Sequence, residues 1–158
     1  MGCAKNEVDS AHMASALIDA GFRIIDDPEQ ADAVIVNTCS FIQAATEESI
    51  DAILEVAGFE SIASGKAKLI VSGCMPSRYG ADLEAEIPEA SRFVSCDDES
   101  RIAEIAVELF GDIDTPLHKE PPARERLVSA YVKISDGCDR FCSYCAIPYI
   151  RGRYHSFP

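Results

Sequence analysis

The chain reads as an α/β protein in which a parallel sheet covered by helices is followed by the start of a second α/β unit. Three features predict this. Short β-branched apolar runs alternate with stretches of helical period, the alternation stops at a proline-rich segment, and a further apolar run then leads into a cluster of cysteines.

Residues 7 to 20 have the period of a helix closed by Gly21. Ala33-Val34-Ile35-Val36-Asn37 is a short run suited to a strand buried on both faces. Ile50, Ile53, Leu54 and Ala57 then fall at i, i+3, i+4 and i+7 and make one apolar stripe ending at Gly58. Leu69-Ile70-Val71-Ser72 is the second strand, Leu83 and Ile87 mark a short helix stopped at Pro88, and Arg92-Phe93-Val94-Ser95 is the third strand. The helical spacing recurs at Ile102, Ile105, Ala106 and Leu109, with Asp98 or Ser100 as the N-cap and Gly111 as the stop. Residues 112–127 lack periodicity and carry Pro116, Pro121 and Pro122, the composition of a linker. Leu127 to Ile134 reads as a strand that delivers Cys138 to the loop at its C-terminal end, where barrel-type α/β enzymes place their active sites. The expected division is a first domain over 1–111, a linker over 112–127 and a second domain begun at 128–158. A barrel needs about 200 residues, so the second domain is expected to be truncated here.

Composition narrows the class. At 158 residues the chain is one ordinary domain with a remainder, and 47% hydrophobic residues suit a globular protein. No apolar run approaches the roughly 18 residues of a membrane span, and the first residues lack a signal region, so a cytoplasmic protein with no membrane partner is expected. Seven cysteines, an odd number, point to reduced thiols or metal ligation. Charge is uneven: residues 1–123 carry 8 Lys and Arg against 24 Asp and Glu, and residues 124–158 carry 6 against 3. So acidic a first region repels phosphate backbones and attracts basic proteins, which makes it a poor nucleic-acid platform by itself. Solubility alone also accounts for such a charge.

Cys138, Cys142 and Cys145 form a C-x3-C-x2-C run with no fourth ligand beside it. Structural metal sites close a four-coordinate shell, whereas three thiolates on a 4Fe-4S cluster leave one iron open. The alternative is zinc with His155 as fourth ligand, across a ten-residue gap longer than usual. A second set is spread along the first domain. Cys39 and Cys74 each follow a strand, and Cys3 opens the loop before the first helix. Loops at the carboxyl ends of parallel strands converge on one crevice, so these three are candidate ligands of one metal site, again three in number. Cys96 also follows a strand and is read as a structural thiol in preference to a fourth ligand. Arg151 and Arg153 are read as a solvated basic loop, and Arg78, Tyr79, His12 and His118 receive no role.

The C-x3-C-x2-C run with Tyr144 before its last cysteine resembles the signature of radical S-adenosylmethionine (SAM) enzymes. Gly2-Cys3-Ala4-Lys5-Asn6-Glu7-Val8-Asp9-Ser10, Val36-Asn37-Thr38-Cys39-Ser40-Phe41-Ile42, Ser72-Gly73-Cys74-Met75 and Ala130 to Cys138 together resemble the methylthiotransferases of that superfamily. Lys5-Asn6, Ala45 to Ser49 and Arg151-Gly152-Arg153-Tyr154 look more like the ribosomal-protein branch, the RimO type, than the tRNA branch. The resemblance implies two 4Fe-4S clusters, an auxiliary one on Cys3, Cys39 and Cys74 and a SAM-binding one on Cys138, Cys142 and Cys145, with Tyr144 helping to hold the adenine. It implies SAM as methyl donor and radical source, because inserting sulfur into an unactivated C–H bond is beyond any side-chain base. The implied substrate is the β-carbon of an aspartate in small-subunit ribosomal protein S twelve, with an electron donor such as flavodoxin or ferredoxin. Members of the family start with a strand ahead of the Gly-Cys loop, so this chain is expected to be an N-terminal fragment lacking its first strand, and by itself inactive. A tRNA adenosine methylthiotransferase is the alternative enzyme, and a zinc-binding docking module the alternative outside enzymes.

Overall fold

The computed structural model describes residues 2–111 and 129–157. The first stretch builds β1 (Ala33–Thr38), β2 (Lys68–Gly73) and β3 (Ala90–Ser95), paired in parallel in the order β1-β2-β3. Val36 lies opposite Val71, and Val71 opposite Phe93. Parallel neighbours require crossovers, and the helices that make them cover both faces. Helices α2 (Gln43–Ala57) and α3 (Glu60–Ala63) join β1 to β2, and the short α4 (Cys74–Tyr79) and α5 (Ala81–Glu86) join β2 to β3. Helices α1 (Ala4–Asp19) and α6 (Ile102–Phe110) flank the three strands in sequence.

Alternation along β2 shows why two cores form. Leu69 and Val71 point to one face, where they pack with Val36, Ile53, Ile62, Met75, Leu83 and Ile87. Ile70 points to the other, where Met13 and Leu17 of α1 meet Ile102, Ile105 and Ala106 of α6. The expected α/β class, the three strands and the last apolar stripe are all present, each strand extended by a residue or two.

Three expectations are corrected. The stripe on α2 is rotated: Ile53 is fully buried but Ile50 and Leu54 are exposed, and Ser49 takes the inner position beside Ile53. A four-residue apolar pattern fixes the period of a helix better than the phase of its buried face. A 3-10 turn at Glu99–Arg101 precedes α6, and neither Asp98 nor Ser100 caps it through a side chain, Asp98 instead accepting from the Ser95 hydroxyl. The strand expected over Leu127 to Ile134 is irregular over 129–134, and its first two residues lie outside the described ones, as does the whole linker. Pairing is confined to β4 (Ser135–Asp136), antiparallel to β5 (His155–Ser156), with α7 (Ile147–Ile150) between them. Among the described residues, no helix is long and apolar enough to cross a membrane.

The two sides of α2 provide a test. Ile53→Ala should lower unfolding free energy by about 2–5 kcal/mol through the cavity it leaves. Leu54→Ala should change it by about 0.5 kcal/mol or less. Urea titrations of both variants measure the contrast, and equal losses would contradict the observed phase.

Candidate metal centre

The carboxyl edge of the sheet is polar where its body is apolar. Cys39 directly follows β1, and Cys74 begins α4 directly after β2, both buried. Cys3 is the exposed residue preceding α1. The backbone is shaped to bring these loops together. Gly73 has φ +94°, and a Cβ there would collide with Asn37 Oδ1 and the Thr38 carbonyl, so only glycine lets the end of β2 lie this close to β1. Thr38 Oγ1 donates to the Ser72 carbonyl and accepts from the Met75 amide at 3.1 Å, tying the two strand ends. Ser49, the polar residue on the inner face of α2, accepts from the Cys39 amide and donates to the Cys39 carbonyl, each at 3.0 Å.

Asn6 joins Cys3 to this edge. Its Nδ2 donates to the Thr38 carbonyl at 2.8 Å and to Asn37 Oδ1 at 3.2 Å, while its Oδ1 receives the Cys3 thiol at 3.4 Å. Asn37 returns a bond to the Asn6 carbonyl and another to Ser10. A cleft of about 550 Å³ opens here, lined by Cys3, Asn6, Glu7, Ser10, Asn37 and Tyr131 among others.

Cys39 and Cys74 are perturbed in opposite directions. Burial pushes the Cys39 thiol up, and the charges of Cys74 and Cys3 add to that shift. Cys74 is lowered to about 6, chiefly by a hydrogen bond from Cys96 and, against its burial, by the charge and hydrogen bond of Arg151. Cys96 is raised correspondingly, as the donor of that pair. Its structural role is thus a hydrogen bond to Cys74.

Among the described residues no group of three or more His, Cys, Asp or Glu side chains is arranged to hold a metal ion. His155 is exposed on β5, with its ring against Phe157 and its Nδ1 at the Arg153 carbonyl. A cluster distributes its thiolates over separate irons. Three soft sulfurs around one edge, with the Ser40 hydroxyl beside them buried and without a hydrogen-bond partner among the described residues, fit such a group. Arg78 Nη1 also reaches this edge, donating to the Ser40 carbonyl.

The second triad is more open. Cys142 is exposed, Cys138 and Cys145 are half-buried, and Tyr144 is 90% exposed. Gly137, at φ +71°, allows the loop to approach the Arg153 backbone, and the Cys138 amide donates to the Gly152 carbonyl at 3.1 Å.

Sequence reasoning missed the groups that join the two segments. Arg151, read as solvated, is buried, and its Nη1 donates to Asp9 Oδ2 at 2.7 Å and Asp136 Oδ2 at 3.0 Å. Arg153 is exposed, as expected. Lys133 bridges the same two carboxylates at 2.6 Å each, and Lys5 reaches Asp136 Oδ1 at 2.8 Å. Burial works against the Asp136 charge, yet Lys133, Lys5 and the Gly137 amide hold the carboxyl well below its usual range. A signal was available on α1: its buried residues Asn6, Asp9, Met13 and Leu17 share one helix face, so two polar groups continue an apolar stripe.

A family profile described as uncharacterized protein family UPF0004 matches residues 1–95. The chain is 42% identical over 166 residues to the ribosomal protein uS12 methylthiotransferase RimO of Anaeromyxobacter sp. (strain Fw109-5), covering all of this chain and 35% of that protein. It is 42% identical over 173 residues to the protein of that name from Syntrophus aciditrophicus (strain SB), covering 38% of it. A third, from Natranaerobius thermophilus, is 42% identical over 168 residues, covering 99% of this chain and 37% of the relative. The chain thus spans about a third of the length of the curated relatives it matches.

Glu99 supplies a pH prediction. Burial first, and then the Asp9 charge, push its carboxyl up to about 8, against Arg151 and Lys133. A folded value above the unfolded one means that the folded chain holds this proton more tightly. The resulting stability is fully present below the unfolded value of about 4.3 and is lost as pH rises through about 8. Unfolding midpoints should fall over that window, and less steeply in Glu99→Gln, whose amide keeps a partner for Ser72. Parallel pH profiles for the two proteins would contradict the assignment.

Proposed function

The chain belongs to uncharacterized protein family UPF0004, and on that premise we propose that it is part of a radical SAM methylthiotransferase that modifies ribosomal protein uS12. The observation that carries the proposal is the placement of Cys39 and Cys74 at the carboxyl ends of β1 and β2, with Cys3 linked to that edge through Asn6, in a chain 42% identical to proteins named for that activity. In this reading residues 1–111 are the methylthiotransferase domain, 112–127 a linker and 128–158 the beginning of the radical SAM domain. Cys3, Cys39 and Cys74 hold one 4Fe-4S cluster, and Cys138, Cys142 and Cys145 hold another that binds SAM. When bound, these groups supply the electron and the sulfur for a C–H to C–S conversion that side chains cannot perform. The target is the β-carbon of an aspartate of uS12, and a small electron-transfer protein such as flavodoxin or ferredoxin is the reductant.

The chain's own residues position the reaction. Ser49 and Thr38 fix the backbone around Cys39 and Cys74. Asn6 aligns Cys3 with them across the α1–β1 junction. Tyr144 is exposed and free to meet an adenine. The acidic first region suits a basic protein substrate better than a nucleic acid.

Iron content separates the ligands. After anaerobic reconstitution, Cys3→Ala, Cys39→Ala and Cys74→Ala should each lose the iron and acid-labile sulfide of the N-terminal site, because two thiolates leave a cluster under-coordinated. Cys96→Ala should retain both. Mass spectrometry of uS12 from cells carrying Cys39→Ala in the gene should show no methylthio group. Modified uS12 in those cells, or stoichiometric zinc in place of iron, would refute the proposal.

A further inference from the structure

We infer that Arg151 is a positioning residue for the N-terminal thiol triad, one amino group docking the C-terminal segment and the other donating to the sulfur of Cys74. The inference rests on the cluster reading of that triad. The guanidinium divides its work. Nη1 lies between two carboxylates, Asp9 and Asp136. Nη2 faces Asn6 Oδ1 at 3.3 Å and Cys74 Sγ at 3.8 Å. The orientation is determined on both sides, because the Nδ2 of Asn6 is already given to the Thr38 carbonyl and Asn37, leaving only its oxygen to turn towards Arg151.

A buried cation at a ligand sulfur favours the state with the additional electron. Hydrogen bonds to sulfur and local charge are among the factors that set cluster potentials. The Asp9 carboxylate, 2.7 Å from Nη1 of the same guanidinium, acts in the opposite direction. Arg151 belongs to the segment that carries Cys138, Cys142 and Cys145, so the docking of that segment also places a positive charge at the first triad. A lysine offers one ammonium where arginine offers a planar fork. It can serve the aspartates, and it cannot at the same time reach the sulfur.

The test uses the full chain with Cys138, Cys142 and Cys145 replaced by Ala, so that iron loads only at the N-terminal thiols, and reads the cluster's midpoint potential by electron paramagnetic resonance. Arg151→Lys should keep its iron and its thermal midpoint, while its reduction equilibrium weakens by about tenfold, or about 59 mV for one electron. Asp9→Asn loosens the same docking contact but leaves the sulfur donor and removes an opposing anion, so its potential should move the other way. An unchanged potential in Arg151→Lys overturns the inference, as does a negative shift in Asp9→Asn, which would trace the effect to loosened docking. Absence of iron from the parent overturns the cluster reading and this inference with it, whereas a loaded parent with insensitive variants overturns the inference alone.

Discussion

Two buried carboxylates, Asp9 on α1 and Asp136 on β4, hold the described parts of the molecule in register. Arg151, Lys133 and Lys5 surround them at 2.6–3.0 Å, and three cations against two anions leave neither carboxylate unpaired. Burying such charges is expensive, and a buried pair contributes less to stability than its Coulomb attraction suggests. Removing one partner is worse, because the remaining charge then stays buried without compensation, at about 3–5 kcal/mol. The network is therefore better understood as a register device than as a source of stability. It aligns the start of α1, which follows Cys3, with the strand that precedes Cys138.

Polarity is graded along the fold. On α1 the buried face passes from Leu17 and Met13, packed against Ile70 and α6, to Asp9 and Asn6 at the sheet's carboxyl edge. The strands follow the same gradient, from Leu69, Ile70 and Val71 to Ser72 and Gly73. Apolar burial stabilises the body of the sheet, while the edge exchanges part of that stabilisation for fixed hydrogen bonds around the thiols. Local rules of core composition fail where a chain builds a site, and here they fail along one edge only.

Much of the fold was legible because it is written in local periodicity. The three strands, the α6 stripe and the stop at Gly111 follow from which neighbours in sequence are apolar. The α2 stripe shows where that ends. Its period was right, but Ser49 displaces Ile50 and Leu54 from the inner face because the Cys39 loop requires a hydroxyl there, a demand made by residues ten positions away. The hydrogen bond of Cys96 to the Cys74 thiol at the start of α4 is equally invisible locally, because it joins residues 22 positions apart.

The sequence by itself determined the α/β class, the order of the parallel strands' elements and the six thiols worth considering, because strand and helix periods and cysteine spacing survive without three-dimensional information. Only the tertiary structure decided that Arg151 is buried while Arg153 is exposed, and that Asp9 and Asn6 belong to the site. These contacts join residues up to 145 positions apart. Two arginines separated by one glycine look alike in a pattern, and nothing local distinguishes the one that meets a buried carboxylate from the one that meets water.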